Sequence, residues 1–147
     1  MADAEEAYVF EVDAIAFDLD GTLLDTVHDL ASAVNTLLVE EGFAPLPTEA
    51  IRDLVGKGML NLLTRALKLC GAPARDEAAM AALMVRYQAH YAAVLGDETV
   101  PDDGVMDALA LLHAEGYELA VVTNKATRFV RPHLEHELVV GLVGAVF

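Results

Sequence analysis

Two carboxylates set one residue apart, at the end of an apolar run, constrain this chain more than any other feature. The run is Val12 to Phe17, and Asp18-Leu19-Asp20-Gly21-Thr22 follows it directly. A short apolar run bounded by turn residues predicts a buried strand. Helical periodicity begins after Thr26, so the unit reads strand, turn, helix, and the chain reads as α/β. Ligands of open α/β sheets bind at the C-terminal ends of the strands. A charged pair there needs compensation, because burying unpaired carboxylates is costly. A bound cation or a reacting phosphate supplies it.

In a D-x-D spacing both side chains share one side of the turning backbone and can face one substrate. Asp18 is suited to attack phosphorus and form an aspartyl phosphate. Asp20 is suited to protonate the leaving oxygen and later take a proton from water. A divalent cation beside Asp18 would help to separate the two pKa values that these roles need. Gly21 permits a tight turn, Thr22 adds a hydroxyl and an N–H for phosphate oxygens, and both are candidate phosphate-binding residues. The competing reading is an Asx turn without chemistry. D-x-D alone fits that turn, whereas D-x-D-G-T between an apolar strand and a helix fits catalysis better. A second strand end follows the same logic. Glu118 to Val122 reads as a short buried strand, followed by Thr123-Asn124-Lys125. A hydroxyl and free N–H groups there suit an anion. Without Asp18 and Asp20, Thr123 would read as an ordinary strand-to-helix cap.

The stretch Phe17 to Thr26, FDLDGTLLDT, resembles the first motif of the haloacid dehalogenase superfamily. Gly104 to Lys125, GVMDALALLHAEGYELAVVTNK, resembles the segment leading into its second motif. Among the superfamily's phosphatases, the two are most similar to the phosphoglycolate phosphatases. The resemblance implies a partial, parallel Rossmann-like core sheet with an inserted, all-helical cap. It implies Mg²⁺-dependent hydrolysis of a small phosphorylated metabolite, 2-phosphoglycolate or one like it. Asp18 would be the nucleophile and a metal ligand. Asp20 would be the general acid/base and bind the metal through its main-chain carbonyl. Thr123 would hold the phosphate, helped by the Asn124 backbone. The superfamily's dehalogenases protonate no leaving oxygen and lack an acid at the position of Asp20, so Asp20 argues for phosphoryl transfer. Sugar-phosphate mutases share the D-x-D pattern and are an alternative.

Family members also carry a later lysine that neutralises charge between nucleophile and phosphate, and a later acidic pair that completes the metal site. Neither is found in this chain. Lys125 belongs to the second motif and does not replace that lysine. The chain thus reads as the front part of a family member, with Gly144 to Phe147 beginning the third core strand. Three expectations follow: poor turnover by the chain alone, an open apolar edge on Val12 to Phe17, and self-association through that edge. A non-catalytic product that binds Mg²⁺, phosphate or its own kind is the second functional reading.

Composition narrows the setting. Hydrophobic residues make up 55% of the chain and the mean hydropathy is +0.40, both high, with alanine contributing much of it. No apolar run reaches the roughly 18 residues that a membrane span needs. Met1 to Glu6 is acidic and lacks the basic start of a signal peptide. Cys70 is the single cysteine, which excludes an intrachain disulfide, and it lies in an apolar helical pattern. A cytoplasmic setting is expected. The net charge of −15 argues against a nucleic-acid partner, which needs a basic footprint. Residues 26–99 hold nine acids and six bases, whereas the rest holds fifteen acids and three bases. The electronegative part is the expected core, as a cation-binding site would be, although most of these acids read as solvated surface.

The spacing predicts a core of residues 1–25 and 100–147 and a helical cap of residues 26–99. Thr26 reads as an N-cap, with Asp29 favouring the helix N-terminus. Val27, Leu30, Val34, Leu37 and Leu38 form one apolar face, and Gly42 ends the helix. A short helix runs from Thr48 to Val55. The next spans Met59 to Cys70, with Leu60, Leu63, Leu67 and Cys70 inward. A long helix spans Asp76 to Leu95. Hinges are expected around Asp25 and Gly96 to Pro101, and closure about them would expel water from the site. The break at Gly56-Lys57-Gly58 offers Lys57 as a cation for a substrate carboxylate, or equally a solvated helix break. His133 and His136, with Glu135 and Glu137, have a spacing that could bind metal, but they read better as an exposed amphipathic face beside Pro132. His28, near the loop and the cap, is a candidate for indirect support of the site.

Overall fold

Three parallel strands place the two motif segments side by side. The structure, a computed structural model, describes residues 11–136, 139 and 141–147, without the side chain of His136. β1 (Ala14–Phe17), β4 (Glu118–Val121) and β5 (Ala145–Val146) form a sheet in the order β1-β4-β5. Both neighbouring pairs are parallel. Ala14 pairs with Glu118 and Phe17 with Val121, so β1 and β4 end level. α5 (Val105–Ala114) precedes β4, and α6 (Thr127–His136) follows it. Leu19, Leu24, Leu109, Leu119, Val121 and Leu134 form the apolar core around this sheet. The chain has the mixed α/β fold with a parallel sheet that the sequence predicts.

β1 differs from expectation. It is shorter than the run Val12 to Phe17 and is not buried. Its residues alternate between exposed and half-buried, and Val12 is 48% exposed. The reason is its place in the sheet: among the described residues its only strand partner is β4.

β2 (Leu24–Asp25) and β3 (Val100–Pro101) bracket four helices: α1 (Val27–Glu40), α2 (Thr48–Arg52), α3 (Met59–Leu69) and α4 (Glu77–Val94). These helices build a second apolar cluster, with Val34, Leu37, Ile51, Leu63, Tyr87 and Tyr91 fully buried in it. The stripe predicted along α1 is buried throughout. In α3 the phase differs: Leu62, Leu63, Ala66 and Leu67 are buried, and Leu60 is 55% exposed. Apolar side chains at 59, 60, 62, 63, 66 and 67 offer two overlapping stripes, and the packing selects the later one. Cys70 is half-buried, and burial pushes its thiol up. The Asp76 carboxylate caps α4 by accepting from the Ala79 N–H at 2.8 Å.

Charges join α1 to α4. Arg86 bridges Glu40 and Glu41, and Arg75 reaches Glu41 at 2.7 Å. The hydrogen bonds from Arg86 are the leading cause that holds both carboxyls below the usual range. That contribution is complete above the ordinary carboxylate pKa and fades as pH falls through the lowered values.

β2 and β3 pair antiparallel, Leu24 with Pro101 and Asp25 with Val100. The two expected hinge segments thus meet in one ribbon. Asp29 reinforces it. Its carboxylate is buried and accepts from the Gly96 N–H at 2.9 Å, the Glu98 N–H at 2.8 Å and the Thr99 hydroxyl at 2.7 Å. Its first-turn position matches expectation, but its partners lie in the other connector.

α6 corrects a second expectation. Pro132 sits inside the helix, and His133 is 0% exposed, beside buried Phe129, Val130 and Leu134. This face packs inward, so residues three and four apart are buried together. Glu135 is exposed and pairs with Arg131 at 3.6 Å. The His136 side chain and Glu137, like Met1 to Glu6, lie outside the described residues. Among the described residues, no group of three His, Cys, Asp or Glu is placed to hold a metal. No helix there is long and apolar enough to cross a membrane.

Candidate active site

The loop after β1 is wound tightly around one carbonyl. The N–H groups of Thr22, Leu23 and Leu24 all donate to the Leu19 oxygen, at 3.2, 3.0 and 3.1 Å. The Gly21 N–H donates to the Leu24 oxygen at 2.8 Å. Gly21 has φ +77°, a conformation that a Cβ disfavours. Leu19, Leu23 and Leu24 anchor this loop in the core. The winding leaves Asp18 exposed at the strand end, where its Oδ1 accepts from the Leu19 N–H at 2.8 Å, and leaves Asp20 half-buried. It also uses the N–H groups of Gly21 and Thr22, which the sequence offered to phosphate. Both residues are exposed, and neither lines the cleft described below.

Asp20 is gripped from two sides at one oxygen. Its Oδ1 accepts from the Thr26 hydroxyl at 2.7 Å and from Lys125 Nζ at 2.7 Å. Thr26 occupies the N-cap position of α1, but its side chain makes no capping bond. Its hydroxyl serves Asp20 instead. The Lys125 side chain is only 2% exposed. Its ammonium also donates to the Tyr91 hydroxyl at 2.6 Å and stands 4.9 Å from that ring's centroid. Burial pushes the Lys125 ammonium down, and the Asp20 carboxylate opposes this only in part. Burial, then the Asp20 charge, pushes the Tyr91 hydroxyl up. Tyr91 meets Phe129 edge-on at 5.0 Å, which fixes its ring.

Beyond β4, the Thr123 oxygen accepts from the Lys125 N–H at 3.1 Å, leaving its own hydrogen to donate. Asn124 Nδ2 donates to the Gly56 oxygen at 3.1 Å, which docks the α2–α3 loop on the strand end. Asp18, Asp20, Thr123, Asn124 and Lys125 thereby line one cleft, roofed by Gly56, Gly58, Met59 and Tyr91 among others. Its free space is about 30 Å³, enough for a water or two.

Lys57 is exposed and is not among the cleft-lining residues, although both flanking glycines are. Arg52 reaches Asp25 at 3.1 and 3.3 Å, beside a second opening lined by Asp20, Gly21 and Asp25. Burial raises the Asp25 carboxyl, but the hydrogen bonds from Arg52 and the Val27 N–H outweigh it and hold it low. His28 lies 3.7 Å from Glu98 and lines neither opening. Tyr91, the Thr26 hydroxyl and the grip of Lys125 on Asp20 were not foreseen. Tyr91 sits on an apolar helical face, and nothing in the local sequence separates it from a core residue.

Comparisons with known proteins agree with this fold. A profile described as haloacid dehalogenase-like hydrolase matches residues 15–141. The phosphoglycolate phosphatase of Caulobacter vibrioides is 45% identical over 113 residues, 77% of this chain and 47% of that protein. That of Nitrosospira multiformis is 43% identical over 125 residues, 84% of this chain and 54% of that protein. The chain thus spans about half the length of these curated relatives. A crystal structure from Haemophilus somnus, described as a predicted phosphoglycolate phosphatase, superposes with a TM-score of 0.84 at 28% identity. It covers 92% of this chain and 61% of that one. With the motifs, the fold and the profile match in agreement, this chain belongs to the haloacid dehalogenase-like hydrolase family.

Proposed function

We propose that this site hydrolyses small phosphomonoesters through an aspartyl phosphate on Asp18, with 2-phosphoglycolate or a similar small metabolite as substrate. The observation that carries this reading is the meeting of Asp18, Asp20 and Thr123 in one cleft at level strand ends. The Asp18 carboxylate attacks phosphorus as Asp20 gives a proton to the leaving oxygen. Asp20 then takes a proton from water, which attacks the same phosphorus and restores Asp18. The Thr123 hydroxyl donates to a phosphate oxygen. Residues 26–99 act as a cap over a core of residues 1–25 and 100–147, and the lone cysteine fits a cytoplasmic setting.

The donor chemistry suits Mg²⁺. Asp18 is exposed, and no described cation pairs with it, since Lys125 goes to Asp20. Oxygen donors few in number suit a hard cation that keeps several of its waters. The Asp18 carboxylate and the Asp20 main-chain carbonyl would hold it, and it would offset negative charge on the phosphate.

Phosphate release from 2-phosphoglycolate and from a neutral phosphomonoester, with and without Mg²⁺, tests the proposal. Mg²⁺-dependent release is expected, and release unaffected by chelation would refute the metal assignment. If Lys57 swings in to meet a substrate carboxylate, Lys57→Ala lowers the phosphoglycolate-to-neutral ratio of kcat/KM about tenfold. An unchanged ratio leaves Lys57 as a solvated helix break.

The exposed β1 edge favours a second reading, in which copies of the chain pair along Ala14–Phe17. Unpaired backbone groups on an apolar edge recruit other strands. Light scattering should then report species larger than a monomer, in proportions that rise with concentration. A single monomeric mass across the concentration range would remove this reading.

A further inference from the structure

We propose that Lys125 is a positioning residue that makes the placement of Asp20 depend on the seating of the helices over the strand ends. The proposal rests on the phosphatase reading for the role given to Asp20, but the physical link stands on geometry alone. The Lys125 ammonium holds Asp20 Oδ1 of the strand-end loop at 2.7 Å and the Tyr91 hydroxyl of α4 at 2.6 Å. With 2% of the side chain exposed, water has little access to replace either partner. Tyr91 itself is held edge-on by Phe129 at the start of α6. Lys125 and Thr26 both occupy Oδ1, which leaves Oδ2 for the proton transfer. A buried ion pair is a poor way to gain stability, since apolar groups of similar size often do as well. It is a good way to fix a carboxylate's direction. When the helices lift, Tyr91 leaves with them, the ammonium loses one anchor and gains water, and its grip on Asp20 loosens. Asp20 is thus set for transfer only under seated helices.

Two measurements decide this. The first needs no activity: a double-mutant cycle of Tyr91→Phe and Asp20→Ala in denaturant unfolding of the 147-residue chain. These side chains meet at the Lys125 ammonium, so their effects on the unfolding constant should miss additivity by about fivefold or more. The same cycle in a Lys125→Met background should be additive within about twofold. Additivity with Lys125 present, or coupling that survives its removal, would overturn the link. The second compares leaving groups. Lys125→Met should lower kcat for an alkyl phosphate, whose leaving oxygen needs a proton, by about 10–100-fold with KM little changed. For p-nitrophenyl phosphate, which departs readily unprotonated, the loss should be several-fold smaller. Tyr91→Phe should show the same pattern at smaller size. Equal losses on both esters would count against positioning of Asp20. Should the unaltered protein hydrolyse neither ester, the phosphatase reading falls, and the unfolding cycle still decides the link.

Discussion

Asp18→Asn should bring phosphomonoester hydrolysis to background while leaving the fold intact. An amide cannot form the aspartyl phosphate, so no slower version of the same route remains. Asp20→Asn should retain the nucleophile and lose proton transfer, a cost of about 10²–10⁴ in rate. Because Asp18 is exposed and its one hydrogen bond among the described residues is local, Asp18→Asn should shift stability by no more than about 0.5 kcal/mol. Phosphate release and denaturant unfolding on the same preparations check both statements. Wild-type rates in Asp18→Asn, with deamidation excluded by mass, would defeat the assignment of the nucleophile.

The largest stability effect should come from a residue with no part in the chemistry. Asp29→Ala would leave two N–H groups and one hydroxyl of the second connector without their acceptor, in a site where Asp29 and Thr99 are both buried. Orphaning buried donors costs about 1–3 kcal/mol each, and partial access of water should reduce the total to about 3–5 kcal/mol. Since a domain is stable by only about 5–15 kcal/mol, much of the margin would go. Urea unfolding measures it. A loss below about 1 kcal/mol would mean that the ribbon holds without Asp29.

The parts of this protein that were legible in its sequence are those set by neighbouring residues. The D-x-D-G-T loop, the strand before Thr123 and the stripe along α1 each follow from local spacing, and each stands where that spacing puts it. What was illegible depends on contacts between distant segments. Thr26 and Asp29 both fit a helix start, and both sit at one. Their side chains instead reach six residues back to Asp20 and about seventy residues forward to Gly96–Thr99. No pattern at a helix terminus can announce such partners. His133 stands among charged residues and a proline, so its surroundings suggest solvent, whereas its helix turns that face into the core. Leu60 was misplaced for a different reason. α3 carries enough leucine for two stripes, and only the neighbouring helices choose between them.

The β2–β3 ribbon bears on how the helices can move. A domain on one tether swings as a pendulum and must search many orientations before it seats. Here the outgoing and returning chains are laced together, by the Leu24–Pro101 and Asp25–Val100 pairs and by Asp29. If the helices move as the proposed cap, this lacing mounts them like a door on a two-leaf hinge and reduces their travel to rotation about roughly one axis. Each closure would then repeat the last, returning Gly56 and Tyr91 to Asn124 and Lys125 without a search. The entropy of alignment would be lost once, when the chain folds, and not again at each opening.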